Sequence, residues 1–276
     1  MDREILTYEN HQFKASDTSA CALYLALGPD GFSSAVVHPS GAIWRLENRQ
    51  FLQENGAEAG LQLRLSEIQE EKLSFQQVKV TLCYPYASLV PRRLYDPTAL
   101  SDYFKLLLPQ PNGSLQYAAE ELPLFDAFLL YAMPQSSISA TRFFPDATVS
   151  HLGARLLAYW EKQINPDAEY SVMLNVRHKN AQIAVFERKH LLFYNSAVFH
   201  YTNDLLYFVM LAYEQFKISP ADAPLQISGN LLKDSDIYKA LHRYLGRLQF
   251  SELPTFFKLP EEAGSLPPHC WIDLLA

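Results

Sequence analysis

One pattern occurs twice in this chain, and it leaves few folds open. Residues 21–49 read strand, tight turn, strand, turn, strand, and residues 169–197 read the same way. Each meander is followed by a helix, a strand and another helix. In the first, two apolar β-rich runs, 22–27 and 32–37, flank Gly28-Pro29-Asp30-Gly31. Proline presets one φ and glycine frees another, so this tetrapeptide predicts a hairpin. Gly41 opens a third strand at 42–46. In the second, 170–176, 181–187 and 191–196 are strands joined by polar turns. A meander plus crossover helices, made twice, predicts an α/β protein of two similar lobes, each a mixed five-stranded sheet flanked by helices.

The rest of the chain fits between these meanders. Residues 57–72 predict a helix with Leu61, Leu65 and Ile68 on one face, and 75–84 a strand. Asp96-Pro97 caps a helix running to about residue 108, followed by a loop at 109–113. Strands are expected at 114–119, 125–133 and 147–150, a short helix at 136–143, and a longer helix over 151–164. Asn165-Pro166-Asp167 breaks that helix and is the expected boundary between a first lobe, 1–165 with a short N-terminal extension, and a second lobe, 166–276. Asn203 is expected to cap a helix to residue 217. This helix is apolar nearly all round, which places it between layers or in an interface. A strand at 224–228, a helix at 235–245 closed by Gly246 and a strand at 247–250 complete the second lobe. The proline-rich tail from Ser251 is expected to wrap the surface.

Composition narrows the function classes. Net charge is −7 and no basic tract exceeds a triplet such as Arg177-His178-Lys179. Nothing here neutralises a run of phosphates, so nucleic acid is not an expected partner. Three cysteines without a CxxC spacing predict neither a disulfide framework nor a zinc site. His269-Cys270 lacks a third ligand. The N-terminal 20 residues show no apolar signal core, and the longest apolar helix carries Glu214 and Gln215. A cytoplasmic protein without direct membrane insertion is expected.

The stretch Phe125-Asp-Ala-Phe-Leu-Leu-Tyr-Ala-Met-Pro134, a short helix, Asp146-Ala-Thr-Val-Ser150 and a helix to Trp160 resembles the middle of actin-like pilus-assembly ATPases. Ser171-Val-Met-Leu-Asn-Val176, Gln182-Ile-Ala-Val-Phe-Glu187, Leu191-Leu-Phe-Tyr194 and Asn203-Asp-Leu-Leu206 follow in the order of that family's second domain. Leu225-Gln-Ile-Ser-Gly-Asn230 with the helix behind it is similar to the strand, loop and helix that hold adenosine there. The resemblance spans about residues 21–250 and is nearest to an uncharacterised bacterial family with the actin-like ATPase fold, a pair of ribonuclease H-like lobes. It implies a nucleotide cleft between the lobes, with ATP and Mg²⁺ as ligands in active members.

Departures from that pattern concern the phosphates. The resemblance implies an Asp-x-Gly turn in both first hairpins. Here Asp30 lies in the turn itself, and Val176-Arg177-His178-Lys179-Asn180 has no glycine, with Asn175 about where an aspartate would stand. Only 10 glycines occur in 276 residues, against an average usage of ~7%. Gly28, Asp30 and Gly31 are phosphate candidates that hairpin chemistry alone also explains. Arg177 and Lys179 would hold an anion in place of the lost loop, or sit in a solvated turn. Ser228, Gly229 and Asn230 would touch a base or ribose, or simply join a strand to a helix. No catalytic residue and no metal ligand is assigned. The expectation is a non-catalytic scaffold that binds no cofactor and contacts a protein partner, and the resemblance to pilus-assembly proteins implies a membrane-associated complex as the setting. The alternative is a weak ATPase or phosphotransferase in which Asp30 organises Mg²⁺ and Arg177 or Lys179 contacts phosphate.

Overall fold

Both meanders form, and each seeds one sheet of the computed structural model, which describes residues 5–11, 13–29, 31–50, 65–107, 115–134, 143–260 and 266–276. Outside these fall Asp30, the expected loop at 109–113, the start of the helix at 57–72 and nearly all of the helix at 136–143.

In the first lobe β1 (Ile5–Glu9), β2 (Ala22–Gly28), β3 (Gly31–Val37), β4 (Ile43–Gln50) and β5 (Gln77–Leu82) lie in one sheet, with helical residues 65–70 (α1) before β5. A second sheet comprises β6 (Ala87–Pro91), β7 (Leu115–Leu122) and β8 (Ala127–Pro134), with α2 (Leu100–Leu107) between β6 and β7. β9 (Thr148–His151) returns to the first sheet and leads into α3 (Leu152–Gln163). The first sheet runs β1-β4-β3-β2-β5-β9. The inserted sheet is antiparallel, in the order β6-β8-β7.

The second lobe repeats the plan. It has β10 (Tyr170–Arg177), β11 (Asn180–Glu187), β12 (His190–Val198), α4 (Thr202–Gln215), β13 (Leu225–Gly229), α5 (Asp236–Leu245) and β14 (Leu248–Phe250). Its order, β12-β11-β10-β13-β14, matches β4-β3-β2-β5-β9 strand for strand. In both sheets the meander is antiparallel, and its first strand pairs in parallel with the strand after the crossover helix. The sequence reading missed two strands. β1 pairs antiparallel with β4 and extends the first sheet to six strands, and β6 makes an edge of the insert.

α4 departs from its expected form. Its N-cap is Tyr201 rather than Asn203, and the Asp204 carboxylate accepts from the backbone N–H groups of Tyr201 at 2.9 Å and His200 at 3.0 Å, which satisfies donors at the helix start. Only one face is buried, through Leu205, Val209, Ala212 and Tyr213, whereas Tyr207 is 69% exposed. α5 follows its reading: Ser235 caps it and Gly246 ends it at φ 71.

His151 and Glu120 join the insert to the first lobe. The imidazole is fully buried; its Nδ1 accepts from the Gly153 N–H at 3.0 Å and its Nε2–H donates to the Tyr84 carbonyl at 2.8 Å. A backbone N–H can only donate and a carbonyl only accept, so the ring is neutral. Glu120 of β7 accepts from the Ser150 hydroxyl (2.5 Å) and the His151 N–H (2.8 Å), which covers the outer edge of β9. Burial holds the His151 pKa down at about 4, against an ordinary 6.5. Between those two values the unfolded chain binds more protons than the folded one. Stability is therefore complete above pH 6.5 and falls as pH drops towards 4. The loss attributable to this residue is about 3 kcal/mol. Urea melts at pH 7.5 and pH 4.5 should show that much less acid sensitivity in His151→Gln than in the parent protein.

Candidate functional site

Side chains alternate along β10. Val172, Leu174 and Val176 pack with α4 and α5, while Met173, Asn175 and Arg177 face the first lobe. β13 runs beside it in parallel, with Ser228 next to Asn175 and Gly229 next to Val176. The ends of these two strands thus bring Asn175, Arg177 and Ser228 to the inner face of the second lobe, at the mouth of its first hairpin.

Residues 266–276 fill the space opposite. The expectation of a surface-wrapping tail fails for this part of it. A 3-10 turn (Pro268–Trp271) runs into α6 (Ile272–Leu275), and both elements are buried except at Pro268. The sequence signal was the apolar run around Asp273, which packs against β2 and β3 on one side and β13 on the other. His269 anchors the turn to the second lobe: its ring stacks on Phe250 at 4.0 Å and its Nε2–H donates to the Leu231 carbonyl at 2.9 Å. Arg155 of α3 holds the other end, its Nε donating to the Ala276 oxygen at 2.9 Å.

Asp273 lies at the centre. Asn175 Nδ2 donates to its Oδ1 at 2.6 Å and to Ser228 Oγ at 3.0 Å, and Arg177 Nη1 approaches its Oδ2 at 3.4 Å. Ser228 Oγ in turn donates to the Leu174 carbonyl. Accepting from Asn175 fixes the amide so that nitrogen, not oxygen, faces the carboxylate. Arg177 is 5% exposed and Asp273 3%. Such a pair is strengthened by exclusion of water, and desolvation offsets part of that gain. Burial also pushes the neighbouring Cys270 thiol up to about 12, which makes it a poor nucleophile.

The candidates named from sequence divide accordingly. Arg177 and Ser228 come together; the solvated-turn reading of Arg177 is wrong, because β10 extends through it and its parity turns it inward. Lys179 is exposed on the turn itself, and its carbonyl accepts from Phe199. Gly229 sits at φ +82, where an added Cβ would stand 2.3 Å from the Val176 carbonyl oxygen. Only glycine closes β13 onto β10 here. Asn230 donates its N–H to that same carbonyl at 2.6 Å. Gly28 and Gly31 are buried and pair with each other at the first hairpin. Asp30 is outside the described residues. Asn175 and Asp273 belong to the cluster and were not candidates; His269 stands apart from it and anchors the turn that leads to Asp273.

The lobes also meet away from this cluster. Ser196 Oγ donates to the Pro85 carbonyl at 2.7 Å, beside the approach of β6 to β12. Tyr159 of α3 donates to the Glu252 carbonyl. Gly153 of α3 lies so close to Tyr194 that a Cβ would stand 2.1 Å from its hydroxyl. Among the described residues no group of three or more His, Cys, Asp or Glu could hold a metal ion, and no helix is long and apolar enough to cross a membrane.

Comparison with known proteins gives the fold a place. No curated protein matches the chain. A crystal structure from Bacteroides thetaiotaomicron, of a protein with actin-like ATPase fold and unknown function, superposes with TM-score 0.75 at 16% identity, covering 87% of this chain and 94% of its own. A PilM–PilN type IV pilus biogenesis complex gives TM-score 0.49 at 16% identity over 84% of this chain and 88% of that one. The ethanolamine utilization protein EutJ from Carboxydothermus hydrogenoformans gives 0.44 at 10% over 93% and 87%. The first establishes an actin-like ATPase fold; the other two are too distant to add to it. Residues 10–248 match the family described as "Protein of unknown function (DUF3822)", and the chain belongs to that family.

Proposed function

We propose that this protein is a non-catalytic scaffold built on the actin-like fold, holding a protein partner rather than turning over nucleotide. One observation carries the reading: a carboxylate, Asp273, occupies the mouth of the second lobe's first hairpin, where a nucleotide's phosphates would need cationic or N–H donors. Two negative groups cannot share that place without strong repulsion. The filling of the space around it by Trp271, Ile272, Leu274 and Leu275 supports the same reading. So do the ties between the lobes, since a nucleotide cycle of opening and closing would have to break them.

Exposed apolar side chains on the outer surface support the partner in this reading. Tyr207 and Leu211 lie one turn apart on the exposed side of α4, and Tyr244 is exposed on the neighbouring α5. Exposed aromatic side chains on adjacent helices suit protein contact. Calorimetric titration of the wild-type protein with Mg-ATP should give no binding heat. Micromolar affinity that disappears in Arg177→Ala would overturn the reading and restore a weak ATP-binding enzyme.

A further inference from the structure

We propose that Asn175 and Arg177, with Ser228 as the residue that orients Asn175, form an oxyanion-binding site whose resident anion is the chain's own Asp273 carboxylate. The donors belong to the framework of the second lobe. Asn175 and Arg177 lie near and at the end of β10, locked in register to β11 and β13. Gly229 presses the end of β13 against Val176, and the Asn230 N–H bonds the same carbonyl, so the strand ends cannot splay. The acceptor, by contrast, arrives on a separate segment, 98 residues from Asn175 along the chain.

The geometry suits a planar monoanion with two oxygens. One oxygen takes the Asn175 amide at 2.6 Å and the other faces Arg177 at 3.4 Å. A guanidinium is a preferred partner for carboxylate, and the Asn175 amide adds a neutral donor to the second oxygen. Asn175, Arg177, Ser228 and Asp273 are all buried away from bulk water, so the site takes a small carboxylate once the Asp273 side chain is removed. In the intact protein Asp273 is a tethered ligand that keeps other anions out. This inference is independent of whether a partner docks on α4 and α5, and its failure would leave the Mg-ATP titration unchanged.

Chemical rescue tests it. The full-length Asp273→Gly protein is melted in sodium formate and in sodium chloride at equal ionic strength. Formate should raise Tm saturably, by about 4 °C, a shift of the size that mass action gives when a ligand well above its Kd binds only the folded state. The wild-type protein, whose site is full, and the Arg177→Met/Asp273→Gly protein, whose site lacks its cation, should not respond. No saturable shift in Asp273→Gly, or an equal shift in the double variant, overturns the proposal. Should Asp273→Gly fail to fold in chloride, formate is added during refolding and the circular dichroism followed. Recovery of the folded signal supports the site, and its absence overturns it.

Discussion

Replacing Trp271 by alanine should cost about 3–5 kcal/mol of stability, the usual range for deleting a buried tryptophan side chain. The ring is 2% exposed and sits in one cluster with residues of both lobes, including Leu23 and Leu25 of β2 and Met173 of β10. Its loss removes apolar contact that neither lobe can replace by relaxing alone, because the space lies between them. Urea denaturation measures the effect directly. A loss under about 1 kcal/mol would mean that residues 266–276 do not share the cooperative core.

Removing the carboxylate of Asp273 by alanine should be as costly, about 3–5 kcal/mol, for a different reason. Arg177 stays buried without the acid at its side, and the Asn175 amide loses its shortest hydrogen bond. Desolvated charge, not lost packing, then dominates. The distinction is testable: Arg177→Met combined with Asp273→Leu removes both charges and keeps volume, and should recover most of the stability lost in Asp273→Ala. If the double variant falls as far as the sum of its single changes, the charges are not coupled and the account of the cluster fails.

The two-lobe plan was legible because its signals are local. Alternating apolar runs and the turn at Gly28-Pro29-Asp30-Gly31 specify a hairpin from a few consecutive residues, and the same grammar recurs at 170–196. Ser235 and Gly246 delimit α5 for the same reason. The candidate cluster was only half legible. Asn175 and Arg177 share a parity opposite to Val172, Leu174 and Val176, so alternation could have turned Arg177 inward; the charged triplet it opens suggested solvent instead. Asp273 carries no local sign of its role. Its partners lie 96 and 98 residues upstream, and the four prolines between residues 254 and 268 obscured the apolar run that buries it. β1 was lost because Ile5-Leu6-Thr7-Tyr8-Glu9 is short and gains its partner, β4, only through the fold.

The way residues 266–276 are held has a kinetic consequence. Their bonds to Asn175, Arg177 and Arg155 span 98, 96 and 121 residues, so they close some of the longest loops in the chain. Contacts of that separation reward the chain only after both sheets exist, which places them after the rate-limiting barrier to folding. The Trp271→Ala protein should therefore refold at nearly the parental rate and unfold much faster, its whole defect falling on the unfolding arm of the chevron. The segment then acts as a latch on the native state's lifetime, set last and released first.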